Sequence, residues 1–297
     1  MSHIPVLLDE CIDFLDIKPN GVYIDATMGR GGHTRAILER LTDGRVICFD
    51  QDPQASVGTD DPRVTVHHAN FREMLSLCDS GADGVLFDLG VSSPQLDEAE
   101  RGFSYHKDAK LDMRMNTNQT LDAHIVVNGY SKDQLEWIIR EWGEERYAER
   151  IAYHIVKNRE RKPIDSTSEL VEIIKKALPS KALREPQHPA MRTFQAIRIA
   201  VNDEMGALEE GLNAAIGLLN PGGRIAVISF HSLEDRLVKT TFQRYSTGCT
   251  CPPDFPKCIC GFKPALEIIT RRPVTANDSD PNRRARSAKL RAAEKIN

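Results

Sequence analysis

The sequence predicts an α/β domain interrupted by a helical insert, and three observations carry that prediction. Short apolar runs alternate with helix-like segments through the first part of the chain. A long stretch after about residue 112 is helical in composition, and strand character returns at Arg224 to Phe230. Alternation of this kind marks a parallel sheet covered by helices.

Taken in order, Gly21 to Asp25 reads as a first strand, Thr34 to Leu41 as the helix after it, and Arg45 to Asp50 as a second strand. Val64 to His67 is a weaker third strand, Phe71 to Leu77 a helix, and Ala82 to Leu89 a fourth strand. From Leu121 to Leu178 there is no strand-like alternation, and polar turns stand at Asn128-Gly129, Lys162-Pro163 and Ser166. Pro189 suits the first position of a helix over Ala190 to Val201, which leads back to the sheet. The turn Asn220-Pro221-Gly222-Gly223 then precedes the last strand. The expected division is 1–112 and 200–297 for a split α/β domain and 113–199 for the helical insert.

At 297 residues and 40% hydrophobic, the chain suits one large domain or two ordinary ones. No run approaches the roughly 20 apolar residues of a membrane span, and Asp9 and Glu10 stand where a secretory signal needs an apolar run. The simplest address is the cytoplasm, with no membrane partner. The net charge of -4 hides a division: residues 271–297 carry eight Lys or Arg against three acids, leaving the rest of the chain at -9. A basic terminal segment reads as a phosphate-contacting arm or as a solvated terminal helix. In the helical insert, Arg150, Lys157, Arg159, Arg161 and Lys162 lie near Tyr153 and His154, as a phosphate-and-stacking face would. Glu144, Glu145 and Glu149 argue for an ordinary solvated face.

Seven cysteines are too few for a disulfide scaffold, and Cys11, Cys48 and Cys78 read as solitary buried thiols. The other four, Cys249, Cys251, Cys258 and Cys260, form C-x-C, six intervening residues, C-x-C. Four thiolates so close fit a structural zinc site, while a reduced loop or a redox pair stays open.

The first strand runs into Asp25-Ala26-Thr27-Met28-Gly29-Arg30-Gly31-Gly32-His33 and then a helix. Glycines there let the backbone turn sharply and approach a ligand. Asp50, nineteen residues after Gly31 and at the end of the second strand, is placed to accept hydrogen bonds from both ribose hydroxyls of an adenosine. The G-x-G-x-x-G of a dinucleotide site is missing, because the sixth position from Gly29 is Thr34. With Asp25 ahead of the glycines, the loop instead resembles the first motif of class I (Rossmann-like) S-adenosylmethionine-dependent methyltransferases. The fourth strand ends in Asp88-Leu89-Gly90-Val91-Ser92-Ser93-Pro94-Gln95. In amino-methylating enzymes of that fold the corresponding loop holds the target nitrogen, where hydrogen-bond acceptors turn the lone pair of a poorly nucleophilic amine toward the methyl group. By residue type alone, Ser92-Ser93-Pro94 is an ordinary loop cap.

A resemblance covering nearly the whole chain bears on that choice. HIPVLLDE (His3 to Glu10), DATMGRGGH, DLGVSSPQLD, RGFSY, LDMRM, HPAMRTFQAIRI, NPGGRIAVISFHSLEDRLVK and ARSAKLR (Ala285 to Arg291) together resemble the MraW/RsmH family of 16S ribosomal RNA cytosine-N4 methyltransferases. The resemblance implies a class I methyltransferase domain with an inserted all-helical, RNA-recognising domain. It implies S-adenosylmethionine as cofactor and 16S rRNA or the small ribosomal subunit as partner. Cofactor contacts are expected at Asp25, Gly29, Gly31, Gly32, His33, Asp50, Phe71, Asp88 and Gln95; those at Phe71, Asp88 and Gln95 rest on the resemblance. Asp88, Ser92, Ser93 and His231 are the candidates for catalysis, His231 orienting the base or accepting a proton as methylation is completed, with a structural hydrogen bond as the alternative. Met191 and Arg283 depart from the family pattern and put only local RNA contacts in question. A methyltransferase for another nucleic acid, or a non-catalytic ribosome-assembly factor that binds the cofactor, are the alternatives. The oligomeric state is left open, a homodimer included.

Overall fold

A computed structural model describes residues 5–56, 58, 60–247, 251, 255–257, 259–261, 263–276 and 283–297. The chain divides into two compact units, one of residues 1–90 with 205–297 and one of residues 91–204.

The first unit opens with α1 (Leu8–Leu15), β1 (Val22–Asp25), α2 (Gly32–Leu38), β2 (Arg45–Phe49), β3 (Val64–His67), α3 (Met74–Leu77) and β4 (Ala82–Asp88). Each expected element of this part is present, with ends shifted by up to three residues. Phe71–Glu73 forms a 3₁₀ turn ahead of α3 rather than α-helix. The turn is fixed by Asn70, whose side chain accepts from the Arg72 N–H while Glu73 accepts from the Asn70 N–H.

In the second unit are α4 (Ser93–Asp97), α5 (Ala123–Gly129), α6 (Lys132–Glu141), α7 (Ala148–Arg159), α8 (Thr167–Ala177) and α9 (Met191–Asn202). Its core is made of one stripe from each helix, including Val126, Leu135, Ile139, Ile151, Ile155, Leu170, Ile174, Phe194 and Ile197. Ser131 and Ser166 start α6 and α8 in reciprocal caps with Gln134 and Glu169. Composition placed the edge of the insert at residue 113, whereas the unit reaches back to Val91. Leu111, Met113 and Met115 are buried in the helical core, and Asn202 holds their backbone, accepting from Met115 N–H and donating to the Met113 carbonyl at 2.8 Å each. That attachment is between residues far apart in sequence, so composition does not show it.

The chain re-enters the first unit through α10 (Glu204–Leu218), then adds β5 (Leu219–Ser229), α11 (Ser232–Ser246), β6 (Leu266–Ile268), β7 (Val274–Thr275) and β8 (Lys289–Lys295). The strands lie in the order β3-β2-β1-β4-β5-β8-β6, with β7 also on β8. β1 to β5 pair in parallel and β8 runs antiparallel to β5, β6 and β7. Side chains alternate between two cores: Ile225 and Val227 join Phe49, Phe87, Leu212 and Phe242 on one face, while Ala226 and Ile228 join Leu15, Ile37, Val46 and Leu86 on the other. Both faces are covered, which is why these strands read as continuous apolar runs. The order of the first five strands is Rossmann-like: it reverses between β1 and β4, and a crevice for ligands opens beyond the carboxyl ends of strands at such a reversal.

The basic C-terminal segment corrects the expectation of an arm or a solvated helix. Lys289–Lys295 is a strand inside the sheet, with Leu290, Ala292 and Ala293 fully buried. Arg291 Nε donates to Asp235 Oδ1 at 2.7 Å, Lys289 reaches Asp235 Oδ2 at 3.2 Å, and Lys295 Nζ donates to the Ile216 carbonyl. Part of the segment's positive charge is therefore spent inside the fold, while Arg271, Arg272 and Arg286 stay exposed.

Candidate functional site

The loop between β1 and α2 leaves the sheet at the reversal. Asp25 ends β1 and is 1% exposed, accepting from the Thr27 N–H at Oδ1 (3.2 Å) and from the Thr34 hydroxyl at Oδ2 (2.6 Å). Burial pushes its pKa up against those bonds. Both oxygens thus serve the loop from beneath, and sequence reasoning, which grouped Asp25 with the ligand contacts, missed the two threonines. Gly29 and Gly31 have φ of +53° and +69°, a backbone that other residues adopt only with strain. Gly32 opens α2 against Pro5, where a Cβ would stand 2.4 Å from Pro5 Cγ.

Asp50 follows β2 and clasps this loop. Its Oδ2 accepts from the Gly29 N–H and its Oδ1 from the Asp52 N–H, each at 2.8 Å. One N–H per oxygen leaves each oxygen able to accept a second hydrogen bond. Burial pushes the pKa of Asp50 up to about 6, with the two N–H donors opposing and Asp52 and Asp25 adding to the rise.

Asp88 ends β4, and its backbone N–H donates to Thr27 Oγ1 at 2.6 Å, tying the two strand ends together. Its side-chain Oδ1 is buried without a hydrogen-bond partner among the described residues, while Oδ2 lies 3.8 Å from His33 Nδ1. The other ring nitrogen, Nε2, is 3.1 Å from the Val6 carbonyl. A carbonyl only accepts, so Nε2 carries a proton toward Val6 and Nδ1 faces the carboxylate. Burial raises the Asp88 pKa to about 6; His33 opposes the rise, and Asp25 and Glu234 add to it. Three carboxyl groups therefore gather at one sheet edge, and among the described residues no Lys or Arg pairs with them. Such a site suits a cationic ligand that also carries hydroxyl donors. The orphaned Asp88 Oδ1 is the observation that calls for a donor from outside the chain.

The remaining candidates fall in other settings. Phe71 packs edge-on against Phe87, with centroids 5.4 Å apart, and fills the space above Gly211, so its ring belongs partly to the core. His231 caps α11: its Nδ1 accepts from the Glu234 N–H at 3.4 Å, and Glu234 Oε2 accepts from the N–H groups of Phe230 and His231. Glu234 was not singled out by sequence reasoning, although its place three residues after the cap is a recognisable signal. Ser92 is the N-cap residue of α4, and the half-turn is closed by Gln95, 5% exposed, whose Oε1 accepts from the Ser92 N–H at 2.9 Å. Ser92, Ser93 and Gln95 belong to the helical unit, while Asp25, Gly29, Gly31, Gly32, His33, Asp50, Phe71, Asp88 and His231 belong to the sheet unit. Of the cysteine cluster, Cys249 and Cys258 lie outside the described residues, Cys251 is half-buried and Cys260 exposed. Cys11 and Cys48 are fully buried, and burial pushes the Cys48 thiol up to about 12, so it stays protonated.

Residues 1–296 match the MraW methylase family. A Geobacter sulfurreducens protein named "Ribosomal RNA small subunit methyltransferase H" is 54% identical, the alignment covering 99% of each chain. A protein of the same name from Symbiobacterium thermophilum is 53% identical, over 99% of this chain and 96% of that one.

Proposed function

The chain belongs to the MraW methylase family, and on that premise we propose that it methylates the exocyclic N4 of a cytidine in the decoding (P-site) region of 16S rRNA, with S-adenosylmethionine as donor. The observation that carries the proposal is the carboxylate edge at the strand reversal, with no Lys or Arg paired to it among the described residues, in a chain that matches small-subunit rRNA methyltransferases along 99% of its length.

The residues fit the donor. Its ribose offers two hydroxyl donors, and Asp50 has one unused acceptor position on each oxygen. Its ammonium and sulfonium groups are cations, and Asp88 has a buried oxygen with no partner. The loop at Gly29 to Gly32 supplies close backbone approach, with Asp25 holding it from below. When bound, S-adenosylmethionine supplies a methyl group activated by the positive sulfur.

On this reading the chain's own residues position and neutralise. Asp88, anchored through its backbone to Thr27 and its side chain facing His33, accepts a hydrogen bond from the cytosine amine and so directs the nitrogen lone pair. Ser92 and Ser93 follow four and five residues later in sequence, and with Gln95 they are proposed to help hold the base and the donor. N4 gains the methyl group as that group's bond to the donor sulfur breaks, and the N4 proton passes along its hydrogen bond to the Asp88 carboxylate. His231 is left out of the chemistry because its Nδ1 caps α11 and its Nε2 faces Glu234 at 3.1 Å. Positioning of this kind supplies most of the rate in a direct transfer.

Nucleoside mass spectrometry of 16S rRNA from cells lacking the protein tests the proposal. Loss of the N4-methyl mark at a P-site cytidine, restored by the wild-type gene and not by Asp88→Asn, is the expected result. Unchanged N4 methylation would defeat it.

A further inference from the structure

One strip of the helical unit carries positive charge that the fold does not use. On α7, Arg150, Tyr153 and Lys157 are all exposed, and at 100° per residue they fall within an arc of about 60°, roughly 10 Å long. Ala148, Ile151, Ala152 and Ile155 are buried on the opposite side of the same helix. Arg161, two residues past the end of α7, is also exposed.

The structure separates this strip from the basic residues beside it. Arg159 donates to the carbonyls of Val127 and Tyr130, closing the end of α5, and Lys162 is held by Glu169 at 2.9 Å and Asp165 at 3.6 Å. Arg150, Lys157 and Arg161, by contrast, have no carboxylate partner among the described residues. Of the acids on the flank, Glu149 is engaged by Lys132, and Glu160 adjoins Arg159.

Tyr153 stands in the middle of the strip. It is 49% exposed, Lys157 Nζ lies 5.6 Å from its ring centroid, and His154 meets the ring nearly edge-on at 5.7 Å. One neighbour thus meets the ring at nearly a right angle, and Lys157 lies over it, where a phosphate and a base could be met together. Cations without a carboxylate partner among the described residues, on both sides of an exposed aromatic ring, form the pattern that binds single-stranded nucleic acid, the cations taking phosphates and the ring a base. A paired base offers no free face, so the ring selects single strands over duplex.

We infer that Arg150, Tyr153, Lys157 and Arg161 form a docking strip for single-stranded RNA, with Tyr153 stacking on an unpaired base. The inference rests on the proposed activity for its choice of RNA, and it assigns that RNA a place on the helical unit.

The test is fluorescence anisotropy of the full chain with a labelled, unstructured RNA oligonucleotide and with the corresponding duplex, over a series of salt concentrations. The triple variant Arg150→Ala, Lys157→Ala, Arg161→Ala is expected to weaken single-strand binding and to lower the slope of log affinity against log salt by about 2, at roughly 0.7 per phosphate contact. Tyr153→Ala is expected to cost about fivefold to a hundredfold, with Tyr153→Phe restoring affinity because stacking needs the ring and not the hydroxyl. Lys162→Ala, which removes a cation already paired, is expected to change little. Calorimetry with S-adenosylmethionine, unchanged in every variant, shows that each is folded. A triple variant with wild-type affinity and slope overturns the strip, as does wild-type preference for the duplex. If the triple variant binds weakly while the wild-type protein leaves 16S rRNA unmethylated, the strip stands and the proposed activity falls.

Discussion

His33 Nδ1 faces Asp88 Oδ2 at 3.8 Å, and the same ring is fixed from behind by the Val6 carbonyl at Nε2. The pair leaves Asp88 with one oxygen toward an imidazole and the other buried without a donor. The carboxylate most exposed to the chemistry is therefore also one that the ligand-free protein holds at a cost.

That cost predicts a stabilising substitution. Asp88 has its pKa raised from 3.8 to about 6. Below pH 4 it is protonated in folded and unfolded chains alike; as pH rises to 6 the unfolded chain ionises first, so folding stability falls, and above 6 the full penalty applies. Two pH units at about 1.4 kcal/mol each set the penalty near 3 kcal/mol. Asp88→Asn is expected to be more stable than the wild type by about 2 kcal/mol at pH 8, with little gain at pH 4, in urea melts without ligand, and to lose methyl transfer. A variant less stable than the wild type at pH 8 contradicts this reading.

Donor binding should show the opposite pH dependence. A cationic, hydroxyl-donating ligand prefers ionised Asp88 and Asp50, so affinity is expected to weaken as pH falls through about 6, by up to tenfold per unit for each group. Asp50→Ala should weaken binding by about 10- to 100-fold, the loss of charge-assisted bonds, and make the pH dependence shallower. Calorimetry between pH 5 and 8 measures both; undiminished binding by Asp50→Ala would remove the ribose assignment.

The two roles available to His231 part on one substitution. Asparagine is a good N-cap residue, so His231→Asn should keep α11, the melting temperature and the single-turnover rate close to wild type. A base at this position would instead lose its activity, with a rate deficit of 100-fold or more and an altered pH–rate profile.

Much of the sheet was legible because β1, β2, β4 and β5 are buried on both faces and so appear as unbroken apolar runs ended by Asp or Ser. The shape of the loop proposed to hold the donor was legible for the same kind of reason: Gly29, Gly31 and Asp50 are local signals at strand ends. β8 was hidden because its polar residues, Lys289, Arg291 and Lys295, find their partners on α11 and α10, and a charge count cannot show that a cation is paired. The bond between Asp25 and the Thr34 hydroxyl was hidden for a related reason, since it too is a tertiary contact.

β8 supplies a prediction of its own. Arg291→Ala would leave Asp235, with a side chain 14% exposed, without its closest partner. Loss of one member of such a pair is expected to cost about 3 kcal/mol, read as a lower urea midpoint at unchanged slope, with RNA affinity nearly unaffected. A basic arm in solvent would give the reverse, a loss of RNA affinity at wild-type stability.

The most direct measurement is transfer of isotope-labelled methyl from S-adenosylmethionine by the purified protein to small subunits from cells lacking it, followed by nucleoside mass spectrometry. The label is expected on N4 of cytidine at one P-site position with the wild-type protein and to be absent with Asp88→Asn. Label on a carbon of the base, or none on the RNA while the donor binds normally, would contradict the central claim.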